Sequence, residues 1–216
     1  MTKLLIFGPP GSGKGTTAKR YAKAVNLTHV SSGDLFRREI AAGTELGKRV
    51  SAMISAGKLV NDSITSDLVL HQLEGKDSFV LDGYPRTQVQ AVTLLAHHEI
   101  KGIIQVVLSD EKIIERISKR RMCPRDGSTY HLLFKPPKTA GKCDRCSASL
   151  VQRDDDKPET VKDRLAAYKK TTEPALTWLE EQGIPVIRIA GDYDLRTESK
   201  KVITRIHQWQ KVVEGQ

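Results

Sequence analysis

One short segment near the start of the chain constrains the fold more than any other. Residues 8–16 read GPPGSGKGT and directly follow the apolar run at 4–7. A strand that ends in a glycine-rich turn presents successive backbone N–H groups to an anion, and a following helix adds its N-terminal dipole. With Lys14 at the end of the turn, the spacing predicts a nucleotide-phosphate site. Gly15 stands where the pattern has Ser or Thr, so we expect the hydroxyl that normally meets Mg²⁺ to be displaced to Thr16.

The composition narrows the class of protein further. The 216 residues suffice for one hydrophobic core with small insertions, and no apolar run reaches the roughly 18 residues that span a membrane. A strand begins within three residues of Met1, so we expect no signal peptide. Three cysteines, an odd number, favour a reducing compartment over a disulfide framework. We therefore expect a cytoplasmic protein.

The charge balance indicates an anionic partner. Lys and Arg number 35 against 26 Asp and Glu, which gives a formal net charge of +9. Such an excess suits nucleic acid, a membrane surface or small polyanions. Nucleic-acid binders usually add aromatic side chains for base stacking, but aromatic residues make up only 5% of this chain. We therefore expect a small phosphate-rich substrate, with neither a nucleic acid nor a membrane as partner.

Short apolar runs alternate with helical patterns along most of the chain. This alternation predicts an α/β fold, a doubly wound parallel sheet of about five strands. Pro174 lacks the N–H that a helix interior needs, so we expect it to kink or split the helix around it. The predicted strands lie at 4–7, 29–31, 79–81, 103–108 and 186–189. The predicted helices lie at 14–25, 35–42, 45–56, 62–73, 87–98, 111–121, 158–181 and 195–211.

Two stretches interrupt this alternation. Residues 31–60 are helical and carry no strand of their own. Residues 120–156 carry turn residues, prolines and all three cysteines, with a short strand pattern that starts at Thr129 and a turn at 136–137. Long segments of this kind are usually functional. We expect both to be insertions that move against the core.

A second polar cluster follows the predicted strand at 79–81. Asp82 ends this strand, and Arg86 follows four residues later on a Gly-x-Pro turn. Ligands of open parallel sheets bind at the carboxyl ends of strands, so Asp82 is a candidate partner of Mg²⁺, directly or through water. Arg86 can clamp a phosphate with two parallel hydrogen bonds. The alternative is that Asp82 caps a helix, a role that Thr87 could equally fill.

Together these motifs resemble the adenylate kinase family. The resemblance covers nearly the whole chain, and its later segments match the long-lid form of the family. It implies a P-loop NTPase-type core at 1–30, 61–118 and 157–216, a helical NMP-binding insertion at 31–60 and a small β-rich lid at 119–156. The motifs that carry it, in chain order, lie at 8–16, 31–37, 57–60, 82–86, 115–121 and 153–164.

The resemblance also implies which residues hold the nucleotides. AMP would be held by Ser32, Arg37, Lys58, Leu59, Val60, Gly83, Tyr84, Pro85, Arg86, Gln90, Arg153 and Arg164. ATP would be held by Gly11, Ser12, Gly13, Lys14, Gly15, Thr16, Arg116, Arg120, Thr129, Tyr130 and Tyr193. The catalytic residues would be Lys14, Arg86, Arg120, Arg153 and Arg164. Phosphoryl transfer depends mainly on positioning and charge neutralisation, so no general base is needed at its centre.

Two pairs of charged residues carry further expectations. Arg116 and Arg120 are spaced i, i+4, so we expect them to share one helix face. Asp155 and Asp156 would anchor the closed lid by pairing with arginines, or else cap the helix that begins near Pro158.

The three cysteines form a metal-ligand pattern. Cys123-x2-Asp126 and Cys143-x2-Cys146 are two knuckles separated by 16 residues, a spacing typical of tetrahedral Zn²⁺ sites. In the resembling family the aspartate of such sites stands in the last position, so Asp144 or His131 could replace Asp126 as the fourth ligand. Zinc here would be structural, because a small lid has little hydrophobic core. The alternative is three free thiols in a lid held by hydrogen bonds.

The expected activity is reversible phosphoryl transfer from Mg-ATP to AMP, giving two ADP, by a monomeric enzyme. The nearest alternatives are a GTP-dependent AMP kinase, which shares the long lid, and a UMP/CMP kinase, which usually has a short one. A third alternative, a non-catalytic zinc-knuckle binder of nucleic acid, leaves the phosphate loop and the pair Asp82 and Arg86 unexplained.

Overall fold

A parallel sheet forms the centre of the molecule. The computed structural model describes residues 1–193 and 197–215. Within them lie the parallel strands β1 (Lys3–Phe7), β2 (Thr28–Ser31), β3 (Phe79–Asp82), β4 (Gly102–Val107) and β7 (Val186–Ala190). Their order across the sheet is β2-β3-β1-β4-β7. The shorter strands β5 (Arg120–Met122) and β6 (Thr129–His131) form a separate antiparallel hairpin.

The helices follow the predicted alternation closely. The predicted helix at 62–73 has the observed bounds, and the other helices from 14 to 98 differ from their predictions by one to three residues at an end. The helices of the described residues are α1 (Lys14–Ala24), α2 (Ser32–Ala41), α3 (Glu45–Ser55), α4 (Asp62–Leu73), α5 (Gln88–His97), α6 (Asp110–Ser118), α7 (Pro158–Ala167), α8 (Glu173–Glu181) and α9 (Ser199–Val213).

The structure splits one predicted helix and shortens another. The pattern at 158–181 is split, as expected from Pro174, because a π-helical turn at Tyr168–Thr172 separates α7 from α8. The helix predicted at 111–121 is too long, since α6 ends at Ser118 and the chain enters the hairpin. Residues 195 and 196 of the helix predicted at 195–211 lie outside the described residues.

The sheet is covered on both faces, because successive strand residues point to opposite sides. Leu5 and Phe7 pack into one buried cluster with side chains of α4, α5 and α8. Leu4 and Ile6 pack into the other with side chains of α1 and α9. The predicted doubly wound α/β fold is confirmed, and the carboxyl ends of β1 and β3 meet at one edge of the sheet.

The two segments predicted as insertions each contain a small buried apolar cluster. In α2, α3 and the chain leading to α4, Phe36, Val50 and Val60 are buried together. In the hairpin region the buried cluster contains Tyr130 and two cysteines. Neither cluster approaches the size of the two clusters on the sheet. Among the described residues, no helix combines the length and the apolar character needed to cross a membrane.

The junction of α2 and α3 depends on a missing side chain at Gly47. A Cβ atom on Gly47 would lie 2.2 Å from the carbonyl oxygen of Glu39, which is backbone and cannot rotate away. We predict that Gly47→Ala destabilises this unit by about 1–3 kcal/mol, because the clash exceeds the gain of about 1 kcal/mol in helix propensity. Hydrogen exchange of the α2 and α3 amides measures the local opening.

The matched control is Ser55→Ala, an exposed position at the end of α3. Its amide protection should stay within about 0.5 kcal/mol of the parent value. Equal amide protection in the two variants would show that the close contact at Gly47 does not determine the stability of the α2 and α3 unit.

Candidate active site

The loop between β1 and α1 joins a strand end to a helix N-terminus. Gly13 precedes α1 with a φ of +94°, a left-handed conformation that favours glycine. The Nζ of Lys14 donates a hydrogen bond to the Pro9 carbonyl oxygen at 3.3 Å, so this side chain folds back across the loop. Ser12 is buried, and its Oγ has no partner among the described residues. The loop thus brings an ammonium group and the N-terminus of α1 to one place, as an anion site requires.

Lys14 lies in a buried, predominantly positive environment. Burial lowers the pKa of its ammonium group to about 7, with a smaller contribution from repulsion by Arg86, Arg164 and Arg120, while the Asp82 carboxylate acts in the opposite direction. A bound polyphosphate would favour the charged form. Binding above pH 7 is therefore expected to take up a proton.

Asp82 ends β3 beside the loop and is nearly buried. Its Oδ2 lies 3.7 Å from Nε2 of His29 on the neighbouring strand β2. Burial alone would raise the pKa of Asp82, but His29, Lys14 and Arg86 together hold it below its usual value. A Cβ on Gly15 would lie 3.0 Å from the same Oδ2, so a side chain at position 15 would crowd this carboxylate. The observed cap of α5 is Thr87, whose Oγ1 accepts from the backbone N–H of Gln90.

The turn after β3 is tied to several elements. The Gly83 carbonyl oxygen accepts hydrogen bonds from Ser32 Oγ at 2.6 Å and from Arg86 Nε at 2.8 Å. Gln90 is buried, and its amide bonds to the backbone N–H of Arg86 and to Asp62 Oδ1. The Tyr84 ring is also buried, with its hydroxyl on Ser66. Of the predicted AMP residues here, Gly83 and Arg86 line a cavity, whereas the Tyr84 ring packs inside the core.

This narrow cavity, of about 60 Å³, joins the loop to the turn and to α7. Pro85 and Leu59 also line it, which brings the insertion at 31–60 to the same place. Leu59 is partly buried and Val60 is buried, whereas Lys58 is exposed. A Cβ on Gly57 would lie 2.7 Å from Cγ of Arg164, so this segment lies directly against α7.

A larger cleft of about 850 Å³ lies between α2, α3 and the segments at 122–127 and 151–155. Arg37 and Arg153, one from each side, both line it. Arg37 pairs with Asp34 at 2.5 Å, and Asp34 also pairs with Lys19 at 2.9 Å. The predicted phosphate ligands of the two insertions therefore face a common space.

Three arginines surround two carboxylates beside this cleft. Arg120 makes a bidentate contact with the fully buried side chain of Asp156, and its Nε lies 2.8 Å from Oδ2. Arg164 pairs with Asp155 at 2.8 Å and reaches Asp156 at 3.4 Å. The Nε of Arg153 is buried without a partner among the described residues. Burial, with repulsion from neighbouring arginines, lowers the pKa of Arg153 to about 9 and that of Arg164 to about 10.

These contacts decide two of the sequence expectations. Asp155 and Asp156 pair with arginines, and the alternative that they cap α7 is wrong, because its N-cap is Lys157. The expectation that Arg116 and Arg120 share a helix face is also wrong. Arg116 is on α6, but Arg120 begins β5, because residues 120–122 pair with the opposite strand of the hairpin.

Arg116 belongs to a different group of side chains. Its Nη1 donates to the Gly191 carbonyl oxygen at 2.6 Å, and its guanidinium lies 5.1 Å from the centre of the Phe134 ring. The hydroxyl of Tyr193 bonds to Thr17 Oγ1 at 2.9 Å on α1. Thr129, on β6, is partly buried. Phe134 was missed by the sequence reasoning, although an exposed aromatic residue in a polar insertion is a signal that could have identified it.

Tyr130 does not lie with this group. Its ring is buried in the hairpin region, and its hydroxyl lies 3.4 Å from the Sγ of Cys143 and accepts from the backbone N–H of Asp144. The predicted nucleotide contact is therefore not supported for this side chain, because its hydroxyl is engaged by the cysteine knuckle.

The four residues of the cysteine pattern come together. The ligand atoms of Cys123, Asp126, Cys143 and Cys146 all lie within 4.8 Å of one another. The Sγ atoms of Cys123 and Cys146 are 3.4 Å apart, and Asp126 Oδ2 is 3.4 Å from the Sγ of Cys143. Of the alternative fourth ligands, Asp144 accepts from the backbone N–H of Lys138. His131 accepts through Nδ1 from two backbone N–H groups.

Comparison with known proteins assigns this arrangement to a family. The family model described as adenylate kinase matches residues 6–184. The chain belongs to the adenylate kinase family. The adenylate kinase of Petrotoga mobilis is 42% identical over 214 residues, covering 97% of this chain and 99% of the relative. The adenylate kinase of Pyrococcus furiosus is 46% identical over 189 residues, which cover 85% of this chain and 86% of the relative. The adenylate kinase of Archaeoglobus fulgidus is 42% identical over 207 residues, which cover 92% of this chain and 95% of the relative.

Membership of the adenylate kinase family confirms the predicted class of enzyme, an ATP:AMP phosphotransferase. Neither the GTP-dependent AMP kinase nor the UMP/CMP kinase is favoured by these relatives. Sequence reasoning named the arginines that cluster here but missed the contact of His29 with Asp82.

The pairing of Asp156 with two arginines predicts a stability effect. Asp156→Ala removes the buried carboxylate that pairs with Arg120 and Arg164. We therefore expect the free energy of unfolding, measured by urea denaturation, to fall by about 3–5 kcal/mol. Asp154→Ala is the matched control, because Asp154 is exposed two residues earlier. Losses of similar size in both variants would contradict a specific role for the buried carboxylate.

Proposed function

We propose that this chain transfers the terminal phosphoryl group of Mg-ATP to the phosphate of AMP, using the residues gathered around Lys14. The observation that carries the proposal is the concentration of like charge at that point. Lys14 is buried, and Arg86, Arg120 and Arg164 lie close enough to disfavour its charged form. Such an arrangement is unfavourable until anions neutralise it, and phosphoryl groups supply that charge.

The donor side of the proposed site is the loop and its surroundings. Backbone N–H groups of Gly11–Thr16, the N-terminus of α1 and Lys14 would bind the β- and γ-phosphates of ATP. The base would lie toward Arg116, Phe134 and the segment Gly191–Tyr193, where a guanidinium, an aromatic ring and a backbone carbonyl are close together. Thr129 and Tyr130 stay in the proposed donor site, where Tyr130 would contribute its main chain because its side chain is buried.

The acceptor side would be formed by the turn after β3 and the insertion at 31–60. Arg86 and Arg37 would hold the α-phosphate of AMP, with the main chain of Lys58–Val60 and Ser32 around the nucleoside. Gln90 offers an amide to the adenine edge. In the free protein this amide bonds to Arg86 and Asp62, so such a contact would require a shared or exchanged hydrogen bond.

Catalysis would consist of positioning and charge neutralisation. An oxygen of the AMP phosphate attacks the γ-phosphorus in line, the bond between that phosphorus and the β,γ-bridging oxygen breaks, and both products are ADP. Lys14, Arg120, Arg153 and Arg164 would stabilise the charge spread over the transferring group. Closure of 31–60 and 119–156 over the nucleotides would exclude water and so suppress hydrolysis of ATP.

The carboxylate of Asp82 fits a role toward Mg²⁺. Its pKa is held low, so it is ionised at neutral pH, and oxygen ligands suit this cation. Because Gly15 offers no hydroxyl, we propose that Asp82 holds the ion through water. Mg²⁺ would neutralise and orient the β- and γ-phosphates.

Three thiols and a carboxylate fit a structural Zn²⁺ site. Zn–S bonds of about 2.3 Å place the ligands of a tetrahedral ion about 3.8 Å apart. The observed separations of 3.4 Å between Sγ atoms and at most 4.8 Å within the set are close to that value. We propose Cys123, Asp126, Cys143 and Cys146 as the ligands, in a monomeric cytoplasmic enzyme.

Replacement of Lys14 tests the phosphate site. Lys14→Met should reduce turnover by about 100-fold or more, because a charge that stabilises the transferring group is lost. Lys23→Met on the same helix is the control, since Lys23 is exposed in the last turn of α1. Coupled assays of ADP formation, with circular dichroism to verify the fold, make the comparison. Unchanged turnover in the first variant would falsify the assigned role of Lys14.

Metal analysis tests the zinc proposal. Protein purified without chelator should contain about one equivalent of zinc, and chelation should lower its melting temperature, because ligation contributes folding energy. Asp126→Ala should lose zinc faster to a chelator, while Asp144→Ala, outside the cluster, should not. The proposal fails if less than about half an equivalent is found and chelation leaves the melting temperature unchanged.

A further inference from the structure

The π-helical turn between α7 and α8 lies close to the proposed acceptor site. Pro174 has no N–H, so regular α-helical bonding to the carbonyl four residues earlier is impossible there. One residue earlier, the N–H of Glu173 donates to the carbonyl oxygen of Tyr168, five residues back. Turns of this kind are rare and occur frequently at functional sites.

The turn separates the roles of two adjacent threonines. Thr171 donates through Oγ1 to the Ala167 carbonyl oxygen at 2.8 Å, an ordinary bond within its own helical segment. Thr172 is 7% exposed, and its Oγ1 donates instead to the carbonyl oxygen of Arg86 at 3.1 Å, across the interior of the molecule. Each residue added to a helical turn rotates the following side chains by about 100°, so an extra residue can redirect Thr172 in this way.

The Arg86 residue is thereby fixed at three points. Its backbone N–H donates to Gln90 Oε1 at 2.8 Å, and its Nε donates to the Gly83 carbonyl oxygen at 2.8 Å. The bond from Thr172 holds the remaining polar group of its backbone. Because Nε is bound to the Gly83 carbonyl oxygen, the orientation of the guanidinium plane and of its two terminal nitrogens is restricted.

We propose that Thr172 is a positioning residue for the acceptor phosphate, acting through Arg86. The inference rests on the proposed function, in which Arg86 holds the phosphate of AMP. The π turn sets the position of the hydroxyl, the hydroxyl fixes the Arg86 carbonyl, and the fixed backbone aims the guanidinium. Loss of this bond frees the peptide to rotate and removes a partner of the partly buried Arg86 carbonyl oxygen.

Steady-state kinetics of three variants at positions 171 and 172 test the proposal. Thr172→Val, which keeps the shape but removes the hydroxyl, should raise KM for AMP about three- to tenfold, with a much smaller change in KM for ATP. Thr172→Ser, which restores the hydroxyl, should return KM for AMP to within about twofold of the parent value. Thr171→Val is the matched control and should behave as the parent. Thermal melting of each variant verifies folding.

Arg86→Ala separates failure of this inference from failure of the proposed function. If Arg86→Ala leaves KM for AMP unchanged, the assignment of Arg86 itself is wrong. If Arg86→Ala raises it and Thr172→Val does not, only the positioning role is overturned. If both raise it, the double variant should be no worse than Arg86→Ala alone, and additive effects would overturn action through Arg86. If Thr172→Val does not fold, Thr172→Ser becomes the test. A KM for AMP in Thr172→Ser well above twice the parent value would then overturn the proposal.

Discussion

Burial of positive charge is the constraint on which the arrangement of this protein depends. Lys14 is desolvated beside three arginines, and its pKa of about 7 reflects that environment. Two paired arginines are stabilised by Asp155 and Asp156, while Arg153 has a buried Nε with no partner in the described part of the chain. Groups held in this way interact more favourably with a bound polyphosphate than with each other, so we expect their charge to favour ligand binding.

The rest of the fold supplies rigid supports for those charges. The sheet fixes Lys14 and Asp82 at the ends of two neighbouring strands, with large apolar clusters on both faces. The hairpin region has a much smaller cluster, built around cysteines and a tyrosine. A metal bound by the four converging ligands would supply the folding energy that this small core lacks. Stability and metal binding would then be linked in the segment that carries Arg120 and Arg153.

The success of the sequence predictions varied with the range of the interactions involved. The strand before Gly8 and the helix at 62–73 were predicted well, because a continuous apolar run and a capping residue such as Asn61 are local signals. The shared helix face of Arg116 and Arg120 was wrong, because pairing in the hairpin outweighed local helical spacing. The contact of the Tyr130 hydroxyl with Cys143 was not predicted, because no local pattern indicates it. The pairing of Asp156 with Arg120 connects residues 36 positions apart.

By itself the sequence determined the phosphate loop, the alternation of strands and helices, and the family, because each is written in residue types at short fixed spacings. The tertiary structure decided which partners those residues have. It selected Asp126 over Asp144 and His131 in the cysteine cluster, and arginine pairing over helix capping for Asp155 and Asp156. It also directed Thr172 to the Arg86 carbonyl. These outcomes depend on distances across the folded chain, and spacing along the sequence does not encode them.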